Sequence, residues 1–543
     1  VLVHLLTLAA RQGDTAMTRA ALLTGARGRG VADPEAGLEA AEVAGRLVVV
    51  EVEPEADTSD DTATDADTDA EPDPGADLVA LPRYAMAEES LADGLARLAA
   101  TAEPFGEKDT FGVTGLDDEQ KAAVLSALQH GVTLLTGGPG TGKSRTVAAV
   151  VELAVARGCQ VALAAPTGRA AKRLEELATS DAVPAMTLHR LLGATPGRSS
   201  SDDNSGAGSL SGGNSGGLSQ WDGPTFSRDE QWPLDADLVV VDEASMLDVE
   251  LAAGLLDACS DGTHLLIVGD PAQLPSIGAG RVLGDLVDSG VLPTTELVTL
   301  YRQAEGGTIA RLATSVRRGE LPTVDDPSHE VVVVPARDSA DAARRVVQLV
   351  TDSIPRALGI APGEVQVVTP VHRGPAGTEA LNAELKRHLN PSGSAGTPSK
   401  TGGVRPSFDV GDRIVAVANH LDLGFANGEV GTVVARTSDG LEVAFATGPA
   451  TIPVKNWGDL RHGWAVTVHR AQGSEWPAVV VVLPPEAGSM LTRPLIYTAM
   501  TRAERHLSVV PAVGPALHRA VREVGGRPRT TQLRALLRAA VEA

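Results

Sequence analysis

The sequence predicts an α/β protein with two domains built on parallel sheets, and three observations lead to this expectation. Short apolar segments alternate with helical patterns from about residue 105 to residue 510, as in βαβ units. Two of these segments end in glycine-rich or acidic turns, as strands do at the ligand-binding edge of open parallel sheets. A chain of 543 residues is also too long for one hydrophobic core, so we expect three or four domains.

Composition limits the location of the protein and its possible chemistry. Hydrophobic residues make up 43% of the chain and aromatic residues only 3%, so the cores must consist of Ala, Val and Leu. The sequence has no run of 18 apolar residues and no basic-then-apolar signal at its start, which predicts a cytoplasmic protein with no membrane contact. Because the chain begins at Val1, we expect a fragment or an alternative start codon. Cys159 and Cys259 are expected to be small buried hydrophobes rather than a disulfide or a metal site.

The net charge of −24 argues at first against a nucleic-acid partner, because polyanion binding requires a basic surface. However, twelve acidic residues and no Lys or Arg lie in segment 51–78, which we interpret as a disordered linker. Half of the negative excess is therefore confined to one segment, and the rest of the chain remains compatible with DNA.

The elements divide the chain as follows. Residues 1–50, with three short helical patterns and a β-like run at 46–51, predict a winged-helix-like module, and 79–104 predict a connecting strand and helix. Residues 105–300 form the first α/β domain, with strands at 133–137, 160–165, 238–242 and 264–268 and a Gly/Ser-rich insertion at 195–220. Residues 301–515 form the second, with strands at 365–369, 465–468, 478–483 and 506–510 and a small inserted β-barrel at 403–462. Residues 516–543 are left as a C-terminal tail.

The segment 133–144 predicts a phosphate-binding loop. An apolar strand runs into a turn rich in glycine and then into a helix, so that backbone N–H groups can surround phosphates at the positive end of the helix. Lys143 would neutralise the β- and γ-phosphates, and Ser144 would offer its hydroxyl to Mg²⁺. The alternative is a glycine-rich turn with no ligand, which the order of strand, loop and helix disfavours.

Two carboxylates, Asp242 and Glu243, follow the apolar strand at 238–242. At this edge Asp242 can hold Mg²⁺ through water, and Glu243 can orient and deprotonate an attacking water. The alternative is a pair of residues that caps the next helix.

Three further side chains are candidates for sensing or stabilising phosphate charge. Gln273, in the turn after the strand at 264–268, is a neutral donor that could report which nucleotide is bound. Arg302 and Arg502 lie in or just before the second domain, and each could act as an arginine finger when the domains close. A surface salt bridge is the alternative for each arginine.

These motifs, with others in the same order, resemble RecD-like superfamily 1 DNA helicases of the stand-alone type, in the exodeoxyribonuclease V alpha-subunit family. The resemblance covers residues 105–510, and the segment 527–533 extends it. The matching segments are 116–121, 137–144, 165–172, 187–192, 241–246, 269–277, 301–303, 369–378, 465–475 and 496–503.

The resemblance implies two RecA-like P-loop NTPase domains, ATP and Mg²⁺ as cofactors, single-stranded and tailed duplex DNA as partners, and 5′→3′ movement in DNA repair or recombination. It places Gln120 at the adenine. The other residues implied for ATP are Gly138, Pro139, Gly140, Thr141, Gly142, Lys143, Ser144 and Arg145. Those implied for DNA are Pro166, Thr167, Gly168, Arg169, His189, Thr467, His469, Gln472 and Gly473. These groups suit phosphate and sugar contacts without base readout, while His189 could instead be a buried helix histidine.

Two rival functions remain open: an RNA helicase of the same superfamily, and a translocase or ATP-dependent switch that moves on DNA without separating strands. The second arises because the resemblance implies a strand-separating hairpin where this chain has its Gly/Ser-rich insertion. Residues 221–233 are the remaining candidate for such a wedge. We expect the two rivals to differ in tailed-duplex unwinding and in the choice between DNA and RNA.

Overall fold

The structure is a computed structural model that describes residues 1–50, 77–106, 115–177, 183–194, 226–299, 307–323, 326, 328–391, 408–420, 423–523 and 527–542. Almost all of the predicted linker 51–78, the insertion 195–220 and Arg302 lie outside the described residues. No helix within the described ranges is both long enough and apolar enough to cross a bilayer.

The N-terminal region contains helices and a small antiparallel sheet. Its elements are α1 (Leu2–Ala10), β1 (Ala16–Thr18), α2 (Arg19–Arg27), α3 (Pro34–Val43), β2 (Val48–Val50), β3 (Leu78–Ala80) and α4 (Pro82–Thr101). Thr18 and Asp33 cap α2 and α3 through their side-chain oxygens. The strands pair in the order β1-β3-β2. The sequence predicts all of these elements except β1, which is too short to give a periodic signal. The winged-helix assignment itself stays a prediction.

The first α/β domain is a six-stranded parallel sheet with the strand order β6-β5-β7-β8-β4-β9. Its helices pack on both faces, where two apolar clusters form. The elements are α5 (Asp118–Gln129), β4 (Val132–Gly137), α6 (Lys143–Val155), β5 (Val161–Ala165), α7 (Gly168–Leu177), β6 (Ala185–Thr187), α8 (Leu188–Leu191), β7 (Leu238–Val241), α9 (Val249–Asp257), β8 (His264–Gly269), α10 (Val282–Ser289) and β9 (Thr294–Leu297).

The second α/β domain is a five-stranded parallel sheet with the strand order β10-β19-β18-β11-β17. It also has an apolar cluster on each face. The elements are α11 (Thr308–Arg317), β10 (Val331–Val333), α12 (Ser339–Gln348), α13 (Ile354–Leu358), β11 (Val365–Thr369), α14 (Thr378–Leu389), β17 (Ala465–Thr467), β18 (Trp476–Leu483), α15 (Arg493–Met500), β19 (Ala503–Pro511) and α16 (Pro515–Arg522). The expectation of two parallel-sheet domains is therefore confirmed.

An antiparallel sheet is inserted between α14 and β17, where the sequence predicts a barrel. Its strands are β12 (Arg413–Ala416), β13 (Val430–Arg436), β14 (Leu441–Phe445), β15 (Gly448–Ile452) and β16 (Leu460–His462). They pair in the order β15-β14-β13-β12-β16, around a core that includes Phe408, Phe425 and Phe445. Closure of this sheet into a barrel stays a prediction.

The C-terminal residues are not a free tail. Helix α17 (Leu533–Glu542) returns to the first domain and packs against α4 and α10. Leu533 and Leu537 are buried in the same apolar cluster as the N-terminal helices and one face of the first sheet. The chain therefore leaves the second domain after α16 and ends on the first, because a two-leucine stripe on α17 needs a partner surface.

Candidate active site

The loop after β4 has the geometry expected for a phosphate cradle. Gly140 and Gly142 have φ of +80° and +89°, a backbone conformation that favours glycine, and α6 begins at the next residue. The Lys143 ammonium donates to the carbonyl oxygens of Gly137 at 2.6 Å and Gly138 at 3.0 Å, so the charge lies against the loop. The Thr141 hydroxyl donates to Gly138 O at 2.8 Å and stiffens the turn.

Asp242 and Glu243 follow β7, at the carboxyl end of an apolar strand, as the sequence predicts. The backbone N–H of Glu243 donates to Oδ1 of Asp242 at 2.8 Å. Glu243 adopts φ of 55° and ψ of 37°, and this left-handed conformation is unfavourable for a residue with a side chain. Strain of this kind concentrates at functional sites, because the surrounding structure must hold it.

Burial shapes the electrostatics of both carboxylates. Desolvation raises the pKa of Asp242, and the hydrogen bond from Glu243 N and the charge of Lys143 oppose that rise. Desolvation also raises the pKa of Glu243, with Arg502 opposing the rise and Asp242 adding to it. A carboxylate whose pKa is raised toward neutrality is a better general base for water than an exposed one.

Arg502 reaches this site from the second domain. Its guanidinium is buried and donates to Oε1 of Gln273 at 2.8 Å and to the Thr498 carbonyl at 3.0 Å. Gln273 and Arg502, predicted separately, thus touch each other across the domain boundary. Residues of both domains enclose a cleft of about 510 Å³, which includes Lys143, Ser144, Asp242 and Glu243 in its lining.

Further contacts from the second domain fix the loop around Gln273, and most of them are not predicted from the sequence. The Tyr497 hydroxyl donates to Oδ2 of Asp270 at 2.7 Å, and Leu274 N donates to the Thr498 hydroxyl at 2.8 Å. Nε2 of Gln472 donates to Leu274 O at 2.8 Å. Motif spacing cannot reveal these pairs, because their members lie about 200 residues apart in the chain.

An ion pair also crosses the cleft. Arg173 of α7 lies 2.8 Å from Oε1 of Glu475, and its positive charge faces Asp242 and Glu243. Arg169, one turn earlier, donates to the carbonyl of Glu475 at 2.6 Å and lies 4.6 Å from the Trp476 ring centroid. Arg169, a candidate for DNA contact, is thus directed into the contact between domains, where its charge stacks on an aromatic face.

Gln120 and Arg145 lie near the start of the first domain. Gln120 is buried at the third position of α5 and forms a capping box with Asp117. Arg145 donates to Gly115 O at 2.5 Å and also borders the cleft. Pro139 lines both the cleft and a smaller cavity beside Glu330 and Glu504. The adenine contact of Gln120 remains a prediction.

Two of the residues implied for DNA meet across the domains. A Cβ atom added to Gly473 would lie 2.7 Å from the Thr167 hydroxyl, so these two loops are in direct contact. Gly168 faces the inserted sheet, since a Cβ there would lie 2.3 Å from Oε1 of Glu429. Pro166 and Thr167 follow β5, and Thr467 ends β17, so these residues gather at the carboxyl ends of both sheets.

The remaining two candidates, His189 and His469, are half-buried histidines in different surroundings. Burial lowers the pKa of His189, and Asp248 opposes the change. Burial also lowers the pKa of His469, with additional lowering from the charges of Arg529 and His372. Both imidazoles are therefore favoured as neutral hydrogen-bonding groups near pH 7.

The interpretation of 221–233 as a wedge is not supported by its described part, 226–233. This part contains a turn in which Asp229 and Trp232 exchange backbone hydrogen bonds, and it contains no strand. Glu230 and Pro233 line a depression with Ser260 and Asp261, which precede β8. Residues 230–233 therefore lie toward the amino end of β8, whereas Ser227 N and Arg228 N donate to Leu192 O, which follows α8.

The fold defines the class: an NTPase with two RecA-like domains and a cleft between them. Residues 115–331 match a family model described as an AAA domain, and residues 462–510 match the UvrD-like helicase C-terminal domain.

The ATP-dependent RecD2 DNA helicase of Deinococcus radiodurans is 36% identical over 79% of this chain, which spans 54% of that protein. The RecBCD enzyme subunit RecD of Mycolicibacterium smegmatis is 34% identical over 83% of this chain and 82% of its own length. The chain belongs to the RecD-like family of superfamily 1 ATP-dependent DNA helicases. A solved structure of Bacteroides Pif1 bound to ssDNA aligns over 74% of this chain and 92% of its own, with 17% identity and a TM-score of 0.43.

Proposed function

We propose that this chain hydrolyses ATP to move along single-stranded DNA in the 5′→3′ direction and to unwind tailed duplexes, in DNA repair or recombination. The observation that carries the proposal is the cleft in which Lys143, Asp242 and Glu243 of one domain face Arg502 of the other. Family membership supports the reaction class, and the direction and pathway are inferred from the resemblance to RecD-like relatives.

In this mechanism the first domain binds ATP and activates the attacking water, and the second domain stabilises the transition state. The loop before α6 holds the phosphates with its N–H groups and with Lys143. Glu243 accepts a proton from the attacking water, a role that its burial favours. Arg502 places positive charge against the developing charge on the γ-phosphate when the domains are closed.

The donor set at the cleft also fits magnesium. The Ser144 hydroxyl and the buried Asp242 carboxylate are hard oxygen ligands that line the same cleft. The hydrogen bond and the positive charges around Asp242 do not fully offset the desolvation of its carboxylate, so its pKa is raised. This is expected for a carboxylate that faces a cation. Bound Mg²⁺ would neutralise phosphate charge and orient the β- and γ-phosphates.

Coupling to DNA would pass through the loop after β8. Gln273 contacts Arg502 at the cleft, and the next residue, Leu274, accepts from Gln472, which is implied for DNA contact. A change at the γ-phosphate can thus alter the positions of groups that hold the DNA backbone.

The test compares unwinding of 5′-tailed and 3′-tailed duplexes with ATP and Mg²⁺, with the Lys143→Ala variant as control. We expect unwinding of the 5′-tailed DNA only, and none with the variant. Unwinding of only the 3′-tailed substrate would contradict the direction, and equal unwinding of an RNA duplex would favour the RNA helicase.

A translocase that does not separate strands is the second candidate, because the described residues 226–233 contain no strand, and residues 230–233 lie near the amino end of β8. It predicts ATPase stimulation by single-stranded DNA together with no unwinding of either tailed duplex.

A further inference from the structure

The segment 527–532, which extends the family resemblance but has no part in the mechanism above, joins three separate parts of the chain. Thr530 N donates to Oδ1 of Asp14 at 2.9 Å, and Thr15 N donates to Thr530 O at 3.0 Å. Gln532 N donates to the buried Glu88 carboxylate at 3.3 Å. Arg527 pairs with Asp14 at 3.3 Å. These contacts attach the C-terminal segment to the N-terminal region.

Arg529 differs from its neighbours, because its guanidinium points at the loop that follows Gln273. It donates to Ser276 O at 2.6 Å, to Gly280 O at 2.6 Å and to Gly278 O at 3.2 Å, and it lies 3.1 Å from the Ser276 hydroxyl. Three contacts from one planar cation to the carbonyl groups of residues 276, 278 and 280 fix the path of a backbone, rather than the position of one side chain.

The loop 276–280 is held partly by its own contacts and partly by Arg529. It contains two glycines, which have high conformational freedom, and Ile277 is 69% exposed, whereas Ala279 is buried and the Ser276 hydroxyl lies within hydrogen-bonding distance of the carbonyl groups of Gly278 and Gly280. The first part of the same loop carries Gln273 and Leu274, which contact Arg502 and Gln472 of the second domain. The loop is thus held by the second domain at one end and by Arg529 at the other.

We propose that Arg529 is a positioning residue of the motor, which fixes the loop 276–280 so that the state of Gln273 is transmitted to the DNA-contacting groups of the second domain. The proposal rests on the proposed helicase function for its DNA readout. Its location supports the role, since the charge of Arg529 reaches His469, a residue implied for DNA contact.

Gly13 leaves space that the Arg529 side chain occupies. Gly13 has φ of +98°, and a Cβ added there would lie 2.2 Å from Nε of Arg529. The Gly13 carbonyl in turn accepts from Gly280 N at 2.9 Å, so the same residue contacts both the arginine and the loop. A substitution at Gly13 therefore displaces Arg529 without changing it.

The experiment measures steady-state ATPase of the full chain with and without single-stranded DNA, together with thermal unfolding. For Arg529→Ala we expect DNA-stimulated kcat to fall roughly tenfold or more, because the loop that transmits DNA binding to the cleft is then misplaced, and small misplacements can cost this much. The DNA-independent rate and the KM for ATP should stay within about twofold. Arg529→Lys should restore part of the stimulation, since one ammonium cannot span the carbonyls of Ser276 and Gly280 as the fork does.

Arg527→Ala is the matched control, because it removes a C-terminal contact to Asp14 that does not involve the loop. Gly13→Ala should reproduce the loss seen with Arg529→Ala, whereas Gly30→Ala should not. Gly30 has a similar φ of +83° but no atom within 4 Å of an added Cβ, so it controls for backbone strain. Unchanged stimulation in folded Arg529→Ala, or a parallel fall of basal and stimulated rates, would overturn the proposal.

A second readout keeps the inference separate from the helicase proposal. If the unaltered chain shows no stimulation by DNA, the proposed function fails, and hydrogen exchange of the peptide 274–282 decides the role of Arg529. Faster exchange of this peptide in Arg529→Ala than in Arg527→Ala supports the restraint, and equal exchange refutes it.

Discussion

The two α/β domains have the same parallel architecture but present different side chains to the cleft between them. In the first, β4 runs into a glycine-rich loop with Lys143, and β7 runs into Asp242 and Glu243. In the second, α15 and the turn after it provide Tyr497, Thr498 and Arg502, all directed at the first domain. In the proposed mechanism the first domain therefore has the groups that bind phosphate and activate water, and the second has groups that complete the site only on contact.

This difference explains why a pair of similar sheets can act as a motor. A nucleotide that is bound by one domain, in a site that the other domain completes, favours closure of the cleft. Hydrolysis of the nucleotide removes that preference. Removal of a first-domain residue should affect binding or chemistry directly. Removal of a second-domain residue should leave binding intact and weaken the transition state.

The largest effect is expected for the first domain. Lys143→Ala should abolish ATP hydrolysis and weaken nucleotide binding, because the phosphates lose their main countercharge. Glu243→Gln should keep nucleotide binding and lower kcat by about 10²–10⁴-fold, as expected for loss of a general base. Fluorescent-nucleotide binding and steady-state ATPase measure the two effects, and normal turnover in either variant would contradict the site assignment.

A smaller effect, and one confined to kcat, is expected for the second domain. Arg502→Ala should lower kcat roughly a hundredfold while the affinity for ATP changes little, because its charge acts on the closed transition state. Arg502→Lys controls for the loss of a buried charge and should recover only part of the rate. A change in ATP affinity alone would make Arg502 a binding residue. It would contradict the assignment of ATP binding to the first domain and of transition-state stabilisation to the second.

The ion pair between Arg173 and Glu475 tests whether contact across the cleft contributes separately. Arg173→Ala and Glu475→Gln should each lower DNA-stimulated kcat about tenfold, and the double variant should lose no more than the worse single variant. This non-additivity follows if both substitutions remove one shared interaction, which spans 2.8 Å. Additive losses in the ATPase double-mutant cycle would show that the two side chains act independently.

The sequence predicts the parts of this site that depend on local backbone chemistry. A glycine-rich turn between a strand and a helix, and carboxylates after an apolar strand, require few neighbours to be recognised. Accordingly Lys143, Ser144, Asp242 and Glu243 lie together in one cleft, with Gln273 and Arg502 facing them. Eight of the eleven strands described in the two parallel sheets also lie within a few residues of the predicted positions, because buried parallel strands are continuous apolar runs.

Other features could not be predicted because they depend on tertiary contact. The edge strands β6, β9 and β10 were missed, since β6 and β10 have only three residues each and β9 has no apolar run. The left-handed backbone of Glu243 and the Arg173 to Glu475 pair appear only when distant segments are placed together. The interpretation of 516–543 as a tail was wrong for the same reason, because the two buried leucines of α17 give too weak a pattern without α4 and α10 beside them.

The N-terminal and C-terminal elements on the first domain should make its stability depend on pH. Burial raises the pKa of Glu88 to about 8 and that of Asp285 to about 6, both above their ordinary values. Acids whose folded pKa is raised stabilise the fold below their unfolded pKa, and this contribution is lost as pH rises to the folded value. The Tm should therefore fall between about pH 4.5 and pH 8.

Glu88→Gln tests the origin of this dependence. The variant cannot ionise at position 88, so its Tm should fall less over the same pH range, by roughly several degrees. Calorimetry across that range checks this, with the exposed neighbour Glu89→Gln as control. An identical pH profile in Glu88→Gln and the unaltered chain would show that another group dominates.

The smallest effect is expected near the amino ends of the strands of the first sheet. The comparison between the domains assigns no group there to ATP hydrolysis or to DNA movement. Trp232 is 70% exposed, so its substitution leaves no cavity. It lies in the chain between Glu230 and Pro233, which line the depression with Ser260 and Asp261, near the amino end of β8. Trp232→Ala should therefore leave DNA-stimulated ATPase and tailed-duplex unwinding within about twofold of their original rates, given that exposed substitutions away from functional features usually change little. If the variant lost unwinding but kept full ATPase activity, Trp232 would again be a candidate for the strand-separating wedge. DNA would then have to contact the first sheet at both the amino and the carboxyl ends of its strands.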